Sequence, residues 1–191
     1  NRQAAQLVKR YMDRVAETAG IKAKFTATTD QAAALKGADY VLITISTGGL
    51  KAMAHDLKIP EDYGIYHTVG DTTGPGGWAR LIRNFDVFVG LAKDIARCAP
   101  NAVVLNYTNP MCTLTDVLSR IYEGPVVGLC HGLFENLRFL RELYKLESED
   151  QITVKYAGLN HFFWITEARA GRIDVIADLH KQLRNKSFSD L

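Results

Sequence analysis

The fold of this chain is decided by the stretch Val126-Val127-Gly128-Leu129-Cys130-His131-Gly132. Its first four residues form a short apolar run, which is typical of a buried strand, and a cysteine and a histidine stand side by side at its end. A second apolar segment also ends in a histidine, at Ala157-Gly158-Leu159-Asn160-His161. Because cysteine sulfur and imidazole nitrogen both suit a transition-metal ion, we predict that Cys130 and His161 meet in space.

Each of these two residues also has an ordinary structural explanation. A cysteine that ends a buried strand is an inert apolar residue roughly two times in three, since free cysteine is among the most buried residue types. A histidine after Gly-Leu-Asn is more often a turn or core residue than a ligand. The pairing therefore depends on the rest of the chain.

Strand and helix patterns alternate on both sides of this stretch. Strands are predicted at 21–28, 40–45, 102–106 and 126–130, and helices at 7–19, 31–36, 78–98, 109–122 and 134–146. This alternation predicts a doubly wound, Rossmann-like parallel sheet. Residues 40–45 are apolar on both faces, so we expect a central strand covered by helices on each side. Residues 50–77, rich in glycine and proline, are expected to form a long functional connection.

Beyond residue 150 the pattern changes. Two adjacent strands, 153–157 and 162–168, precede a helix at 174–185. We therefore expect a nucleotide-binding domain at 1–150 and the beginning of a second, mixed α+β domain at 151–191.

Composition excludes several classes of function. The chain has 191 residues, is 47% apolar and 23% charged, and carries a net charge of +2, so neither a nucleic acid nor a membrane surface is expected as a partner. No apolar run approaches the roughly 18 residues that span a bilayer. The cysteines, Cys98, Cys112 and Cys130, are odd in number and irregularly spaced, which favours a reducing cytoplasm over a disulfide framework.

Polar loops follow three of the predicted strands, at 44–49, 106–110 and 130–132. The carboxyl ends of parallel strands are where open α/β sheets bind ligands. In Asn106-Tyr107-Thr108-Asn109-Pro110 the carboxamides suit a polyhydroxylated substrate or a nicotinamide, although an Asx turn before a helix explains them about equally well. The glycines of Gly70-Asp71-Thr72-Thr73-Gly74-Pro75-Gly76-Gly77 form either a flexible loop or a close approach to a ligand.

Four motifs occur together and in order: Gly-Asp-Thr-Thr-Gly-Pro-Gly-Gly from Gly70, Asn-Tyr-Thr-Asn-Pro-Met from Asn106, Gly-Leu-Cys-His-Gly from Gly128, and Gly-Leu-Asn-His-Phe from Gly158. Together they resemble the family-4 glycoside hydrolases, which depend on NAD and manganese. The resemblance extends from residues 30–39 to His161 and beyond.

The resemblance implies a redox elimination, outside the usual two-carboxylate scheme of glycosidases. NAD accepts a hydride from C3 of the sugar, a base removes the C2 proton, and the glycosidic oxygen leaves C1 with help from an acid. Water then adds and the hydride returns. A divalent metal such as Mn²⁺ that grips the C2 and C3 oxygens acts as a Lewis acid.

The same resemblance assigns the chemical groups. It implies that Cys130 and His161 are the metal ligands, and that His131 protonates the leaving group, since imidazole titrates near neutrality. It further implies that Asn109 binds the sugar and that Asp71 raises the basicity of the catalytic tyrosine.

The cofactor and the substrate class also follow from the resemblance. Thr44, Ser46 and Asn106 stand where NAD is expected to run. The Cys-His-Gly sequence from Cys130 resembles the α-glucuronidase and α-galacturonidase members, so a uronide is the expected substrate. Family members are oligomers, and we expect a homo-oligomer in which residues 162–164 could line a contact.

The resemblance also implies missing parts. The family's Gly-x-Gly loop and ribose-binding acid precede the position of Asn1, and its catalytic tyrosine follows the position of Leu191. We therefore expect the chain to be a piece of a longer one, with an incomplete NAD-binding domain and little or no activity when it is isolated.

Two other functions remain open from the sequence. A lactate- or malate-type dehydrogenase shares the architecture but needs a His-Asp pair and a substrate-binding arginine rather than a thiolate metal site. Alternatively, the chain is an inactive nucleotide-binding fragment or an assembly surface. Chelator sensitivity, with activity restored by manganese, distinguishes the glycosidase from the dehydrogenase.

Overall fold

The computed structural model describes residues 1–185, so the end of the predicted second domain, 186–191, lies outside the described residues. The helices are α1 (Arg2–Thr18), α2 (Gln31–Leu35), α3 (Gly49–Glu61), α4 (Gly74–Cys98), α5 (Met111–Ser119), α6 (Gly132–Leu143) and α7 (Val175–Gln182). The strands are β1 (Tyr40–Ile43), β2 (Val103–Asn106), β3 (Val126–Gly128), β4 (Ile152–Leu159), β5 (Phe162–Ala170) and β6 (Ile173–Asp174). Single 3₁₀ turns occur at Glu149–Gln151 and Leu183–Asn185.

The first sheet is parallel, in the order β1-β2-β3. Tyr40 is paired with Val103, and Val104 with Val126. Helices connect successive strands, so the predicted Rossmann-like α/β architecture is confirmed. All three strands end at the same edge, where the loops of interest begin.

One face of this sheet packs against α4 and α5. Val41 and Ile43 point into a core that contains the fully buried Phe88, Ile95 and Leu114. Each such side chain contributes roughly 1.5–3 kcal/mol when it leaves water. This packing fixes α4 against one face of the sheet.

The prediction that residues 40–45 form a central strand covered on both sides is wrong. β1 pairs only with β2 among the described strands, and Tyr40 and Leu42 are 71% and 58% exposed on the other face. The stretch 21–28, predicted as a strand, has no regular structure. Its alternating sequence lacks a paired neighbour, and a strand is stable only within a ladder of hydrogen bonds.

The segment 50–77 is not one long loop. Residues 49–61 form α3, with Pro60 in its last turn, and α4 already begins at Gly74, so the irregular connection is only 62–73. Pro60 suggested a break, but the residues before it are good helix formers, and a proline in the last turn disrupts little of the helix.

The second sheet is antiparallel, in the order β4-β5-β6. It has a core of its own, formed by buried residues of α6, α7 and the strands: Leu140, Ile152, Ala168, Ala170 and Val175. The β4–β5 hairpin carries its tip, Asn160-His161, towards the end of β3. No helix within residues 1–185 is long and apolar enough to cross a membrane.

Candidate active site

The two predicted metal ligands lie side by side. Cys130 Sγ and His161 Nε2 are 3.3 Å apart, although the first follows a parallel strand and the second lies in the turn of an antiparallel hairpin. Both residues are half-buried. The two sheets therefore meet at a thiol–imidazole pair.

The hairpin holds His161 in an unusual conformation. Its backbone is left-handed, with φ of 58°, a region that residues other than glycine rarely adopt. The two-residue turn between Leu159 and Phe162, which pair across the hairpin, requires this conformation. Such strain occurs most often at functional sites.

The sulfur of Cys130 has a second contact, with the backbone two residues further along the chain. The backbone N–H of Gly132, the first residue of α6, donates to Cys130 Sγ at 3.3 Å. This contact fixes the sulfur at the start of α6, within 3.3 Å of the imidazole nitrogen of His161.

This donor pair fits a divalent ion of the transition series. An ion bonded to nitrogen at about 2.1 Å and to sulfur at about 2.3 Å separates the donors by about 3.1–3.6 Å, for bond angles of about 90–109°. The observed 3.3 Å lies within that interval. Residues 1–185 contain no group of three or more His, Cys, Asp or Glu side chains that could enclose an ion, so the pair leaves positions open for other ligands.

A second polar group lies at the end of β2. Asn109 Nδ2 donates to Asp71 Oδ2 at 3.3 Å, and Arg80 Nε donates to the carbonyl oxygen of Asn109 at 3.0 Å. Thr72 Oγ1 also donates to Asp71, at 3.2 Å. The Gly-rich motif and the Asn-Pro motif are therefore joined, and the peptide bond between Asn109 and Pro110 is cis.

The three residues predicted to contact a cofactor differ in accessibility. Thr44 and Ser46 are exposed in the loop after β1. Asn106 is fully buried, accepts from the backbone N–H of Thr108, and donates to Thr115 Oγ1 at 3.1 Å. The prediction that Asn106 faces a cofactor is therefore corrected: its carboxamide shapes the loop after β2 from within the core.

His131 occupies the N-cap position of α6 without a side-chain capping bond. The residue is exposed and directly follows Cys130 in the sequence.

Two cavities share His161 and Phe162 in their walls. One, of about 570 Å³, lies between residues 65–75 and the hairpin tip. The other, of about 580 Å³, is lined by Gly132, Asn136 and residues 161–165. Both volumes fall within the roughly 300–1,000 Å³ of small-molecule sites.

Sequence reasoning missed several polar residues around these cavities. His67 Nε2 and Asn160 Oδ1 are buried with no hydrogen-bond partner among the described residues, and both residues line the first cavity. Nothing in the sequence distinguishes them. Arg80 and Arg83, on α4, contact the loops after β2 and β1, but their i,i+3 spacing predicts only that they share a face of the helix.

A parallel sheet with polar loops at its carboxyl edge, beside an open thiol–imidazole pair, is typical of an α/β enzyme that binds a small molecule and a metal ion. The chain belongs to the family 4 glycosyl hydrolases, whose sequence profile matches residues 2–146. This membership confirms the resemblance found in the sequence and sets aside the dehydrogenase alternative.

Curated relatives include two α-galacturonidases. The protein from Thermoanaerobacterium saccharolyticum (strain DSM 8691 / JW/SL-YS485) is 40% identical over 161 residues, which is 81% of this chain and 34% of the relative. The protein from Bacillus subtilis (strain 168) is 40% identical over 150 residues, which is 75% of this chain and 34% of the relative. The chain thus spans about a third of the length of the curated relatives it matches.

Among solved structures, a 6-phospho-beta glucosidase from Thermotoga maritima has a similar fold. Its structure, determined with manganese, NAD+ and glucose-6-phosphate, matches with a TM-score of 0.81 and 25% identity over 100% of this chain and 45% of that chain.

Proposed function

We propose that the protein hydrolyses α-glycosides, with α-galacturonides or α-glucuronides as substrates and NAD and a divalent metal such as Mn²⁺ as cofactors. The reaction proceeds by oxidation at C3, elimination, addition of water and re-reduction. One observation carries the proposal: two strand tips from different sheets bring Cys130 Sγ and His161 Nε2 to 3.3 Å, beside cavities large enough for a sugar.

Each proposed site residue of this chain has its own role in the reaction. Cys130 and His161 would hold the ion, which would supply Lewis-acid catalysis, and NAD would supply reversible hydride transfer. Asn109, fixed through its backbone oxygen and Nδ2, presents Oδ1 to a sugar hydroxyl. Asp71 accepts a hydrogen bond from Asn109, and its proposed role is to raise the basicity of the catalytic tyrosine.

His131 acts on the leaving group. Its exposed imidazole donates a ring N–H proton to the glycosidic oxygen as the bond to C1 breaks, and recovers the proton from the water that adds later. Thr44 and Ser46, exposed after β1, contact NAD.

A uronide is the proposed substrate because the relatives with 40% identity are named α-galacturonidases. The test is turnover of p-nitrophenyl α-galacturonide by the protein expressed from its complete gene, with NAD and MnCl₂. We expect activity that EDTA abolishes and that manganese restores. Activity that survives both EDTA and the removal of NAD would overturn the proposal.

The matched substrate control is p-nitrophenyl α-galactoside, which differs from the uronide only at C6. Preference for the uronide supports the assigned substrate class, whereas preference for the galactoside rejects it and leaves the reaction type intact.

The organisation of the protein follows the same proposal. We place the NAD-binding domain at 1–150 and the beginning of the substrate domain at 151–191. The separate buried clusters of the two sheets support two domains, although α6 contributes Leu140 to the second cluster. We also propose a cytoplasmic homo-oligomer. Phe162 and Trp164, an exposed pair with ring centroids 4.9 Å apart, are candidates for a subunit contact.

A further inference from the structure

The loop after β1, residues 44–49, is tied down at two points by side chains from other elements. At its start, the backbone N–H of Ile45 donates to Thr108 Oγ1 at 2.9 Å. At its end, Thr47 contacts α4 through both its carbonyl and its hydroxyl group. The exposed positions Thr44 and Ser46 lie beside these two anchors.

The anchor at Thr47 is built on an ion pair between a buried carboxylate and a partly exposed guanidinium. Arg83 on α4 donates through Nη1 to Asp56 Oδ1 at 3.0 Å and through Nη2 to Asp56 Oδ2. The third guanidinium nitrogen, Nε, donates to the carbonyl oxygen of Thr47 at 3.2 Å. Asp56, on α3, is only 7% exposed, so the two-point bond to Asp56 fixes the orientation in which Arg83 meets the loop.

A second residue of α4 completes the anchor. Asn84 is fully buried, accepts a hydrogen bond from Thr47 Oγ1 at 2.6 Å and donates to the carbonyl oxygen of Arg80 at 2.8 Å. Gly48 adopts a φ of 83°, and a Cβ there would lie 2.6 Å from Ala52 Cβ and 3.3 Å from Arg83 Nε. The positive φ and the close approach to Ala52 on α3 therefore require glycine at this position.

An ion pair that served only to join α3 to α4 would not need Nε, which instead reaches the loop backbone. We infer that Asp56, Arg83 and Asn84 are positioning residues for the cofactor: they hold the 44–49 loop in the conformation that binds NAD. This inference rests on the proposed function, because it takes NAD as the ligand of that loop. The three residues act through the loop and do not touch the cofactor themselves.

The test measures NAD affinity by calorimetry on the protein expressed from its complete gene, for Arg83→Lys, Asp56→Asn and the double variant. Lysine keeps the charge but cannot bond to Asp56 at two points and to Thr47 at once. We expect each single change to raise the Kd for NAD at least ten-fold. We expect the Kd of the double variant for NAD to be no higher than that of the more affected single variant, since the two residues act as one unit.

Two further readouts separate positioning from a merely structural role. The Mn²⁺ affinity of the folded variants should stay within two-fold of the wild type, because Cys130 and His161 lie on other elements. The matched control is Arg97→Lys, which alters the exposed ion pair to Asp94 on the same helix and should leave the Kd for NAD unchanged. A lower melting temperature with unchanged NAD affinity would overturn the inference.

If the Arg83 and Asp56 variants do not fold, Thr47→Val still tests the anchor, because it removes only the hydrogen bond from the Thr47 hydroxyl to Asn84. We expect it to raise the Kd for NAD about three-fold, and an unchanged Kd contradicts the inference. If the wild-type protein itself binds no NAD, it is the proposed function that fails. If the wild type binds NAD, and the Arg83, Asp56 and Thr47 variants bind it with the same affinity as the wild type, only the inference about the anchor fails.

Discussion

Cys130 and His161 are separated by 31 positions in sequence and by 3.3 Å in space. Their convergence followed from the four ordered motifs and the family they resemble, and not from strand ends alone, because the two residues belong to different sheets. The left-handed backbone of His161 was not predictable. It arises from the two-residue turn of the hairpin, whose length is set by pairing along the whole of β4 and β5.

Replacement of the sulfur ligand tests the metal site at this scale. We expect Cys130→Ser to weaken Mn²⁺ binding at least about 100-fold, since loss of an outer-shell partner alone typically costs 10–100-fold. Calorimetric titration of the metal measures the change. Cys98→Ser is the control, because Cys98 lies in the last turn of α4, away from the proposed site. The Cys98→Ser variant should bind Mn²⁺ with the affinity of the wild type. Equal affinity in the two variants would remove Cys130 from the site.

A second prediction concerns Asp71, the carboxylate beside Asn109, the proposed sugar-binding residue. Asp71→Asn keeps the size of the side chain but removes its charge from the vicinity of Asn109. We expect kcat on the uronide to fall about 100-fold, the scale of losing one preorganised electrostatic group, while the Kd for NAD stays the same. A kcat that is preserved would mean that Asp71 serves only to shape the loop.

Other residues of the site were hidden from sequence reasoning for a physical reason. The role of Arg83 depends on an acidic partner one helix away and on a backbone carbonyl, neither of which leaves a local pattern. Asn106 was instead assigned a role that the structure does not support. A carboxamide after a strand resembles a ligand contact, but the side chain of Asn106 is buried and makes four hydrogen bonds within the protein.

At the scale of elements, α4 is the longest helix that the structure describes and the one that connects the loops. Its buried face packs against β1 and β2 through Phe88. We expect Phe88→Ala to lower the free energy of unfolding by about 3–5 kcal/mol, as for other fully buried aromatic residues. Phe85→Ala, on an exposed position of the same helix, should change it by about 0.5 kcal/mol or less. Urea denaturation measures both, and equal losses would contradict this packing.

The contact between α6 and α7 gives a prediction of pH dependence. Tyr144 donates to Asp178 Oδ2 at 2.9 Å. Burial, with help from that carboxylate, raises the pKa of Tyr144 from 10.0 to about 12. A raised pKa in the folded state means that the stabilisation is complete below pH 10 and is lost as the pH rises through about 12.

Tyr144→Phe should therefore be less stable than the wild type by about 1 kcal/mol near neutral pH, the typical net contribution of one hydrogen bond. The difference should vanish as the pH approaches 12. Thermal unfolding across that range measures it. A difference that persists at pH 12 or above would show that the hydroxyl stabilises the fold in some other way.

Helices and strands with a strong local pattern were predicted well, and those that depend on distant partners were not. The runs that became α4, β2 and β3 carry clear apolar periodicity. α3 was missed because Pro60 and the glycines after it suggested a loop. The stretch 21–28 alternates like a strand, but no neighbouring strand pairs with it in residues 1–185.

For the molecule as a whole, the two sheets have separate cores and meet at the site, an arrangement that no single motif encodes. The order of four motifs was nevertheless sufficient to predict the family, which the match over residues 2–146 confirms. Whether the open face of β1 and the exposed aromatic rings of β5 contact other subunits depends on surfaces that sequence patterns do not define.

The most direct test of the central claim is anomalous scattering at the manganese edge, from a crystal of the protein grown with NAD and MnCl₂. We predict a single strong peak at about 2.0–2.5 Å from both Cys130 Sγ and His161 Nε2. A peak at another place, or none between these two atoms under saturating manganese, would contradict the proposed site and with it the proposed metal-assisted cleavage of sugars.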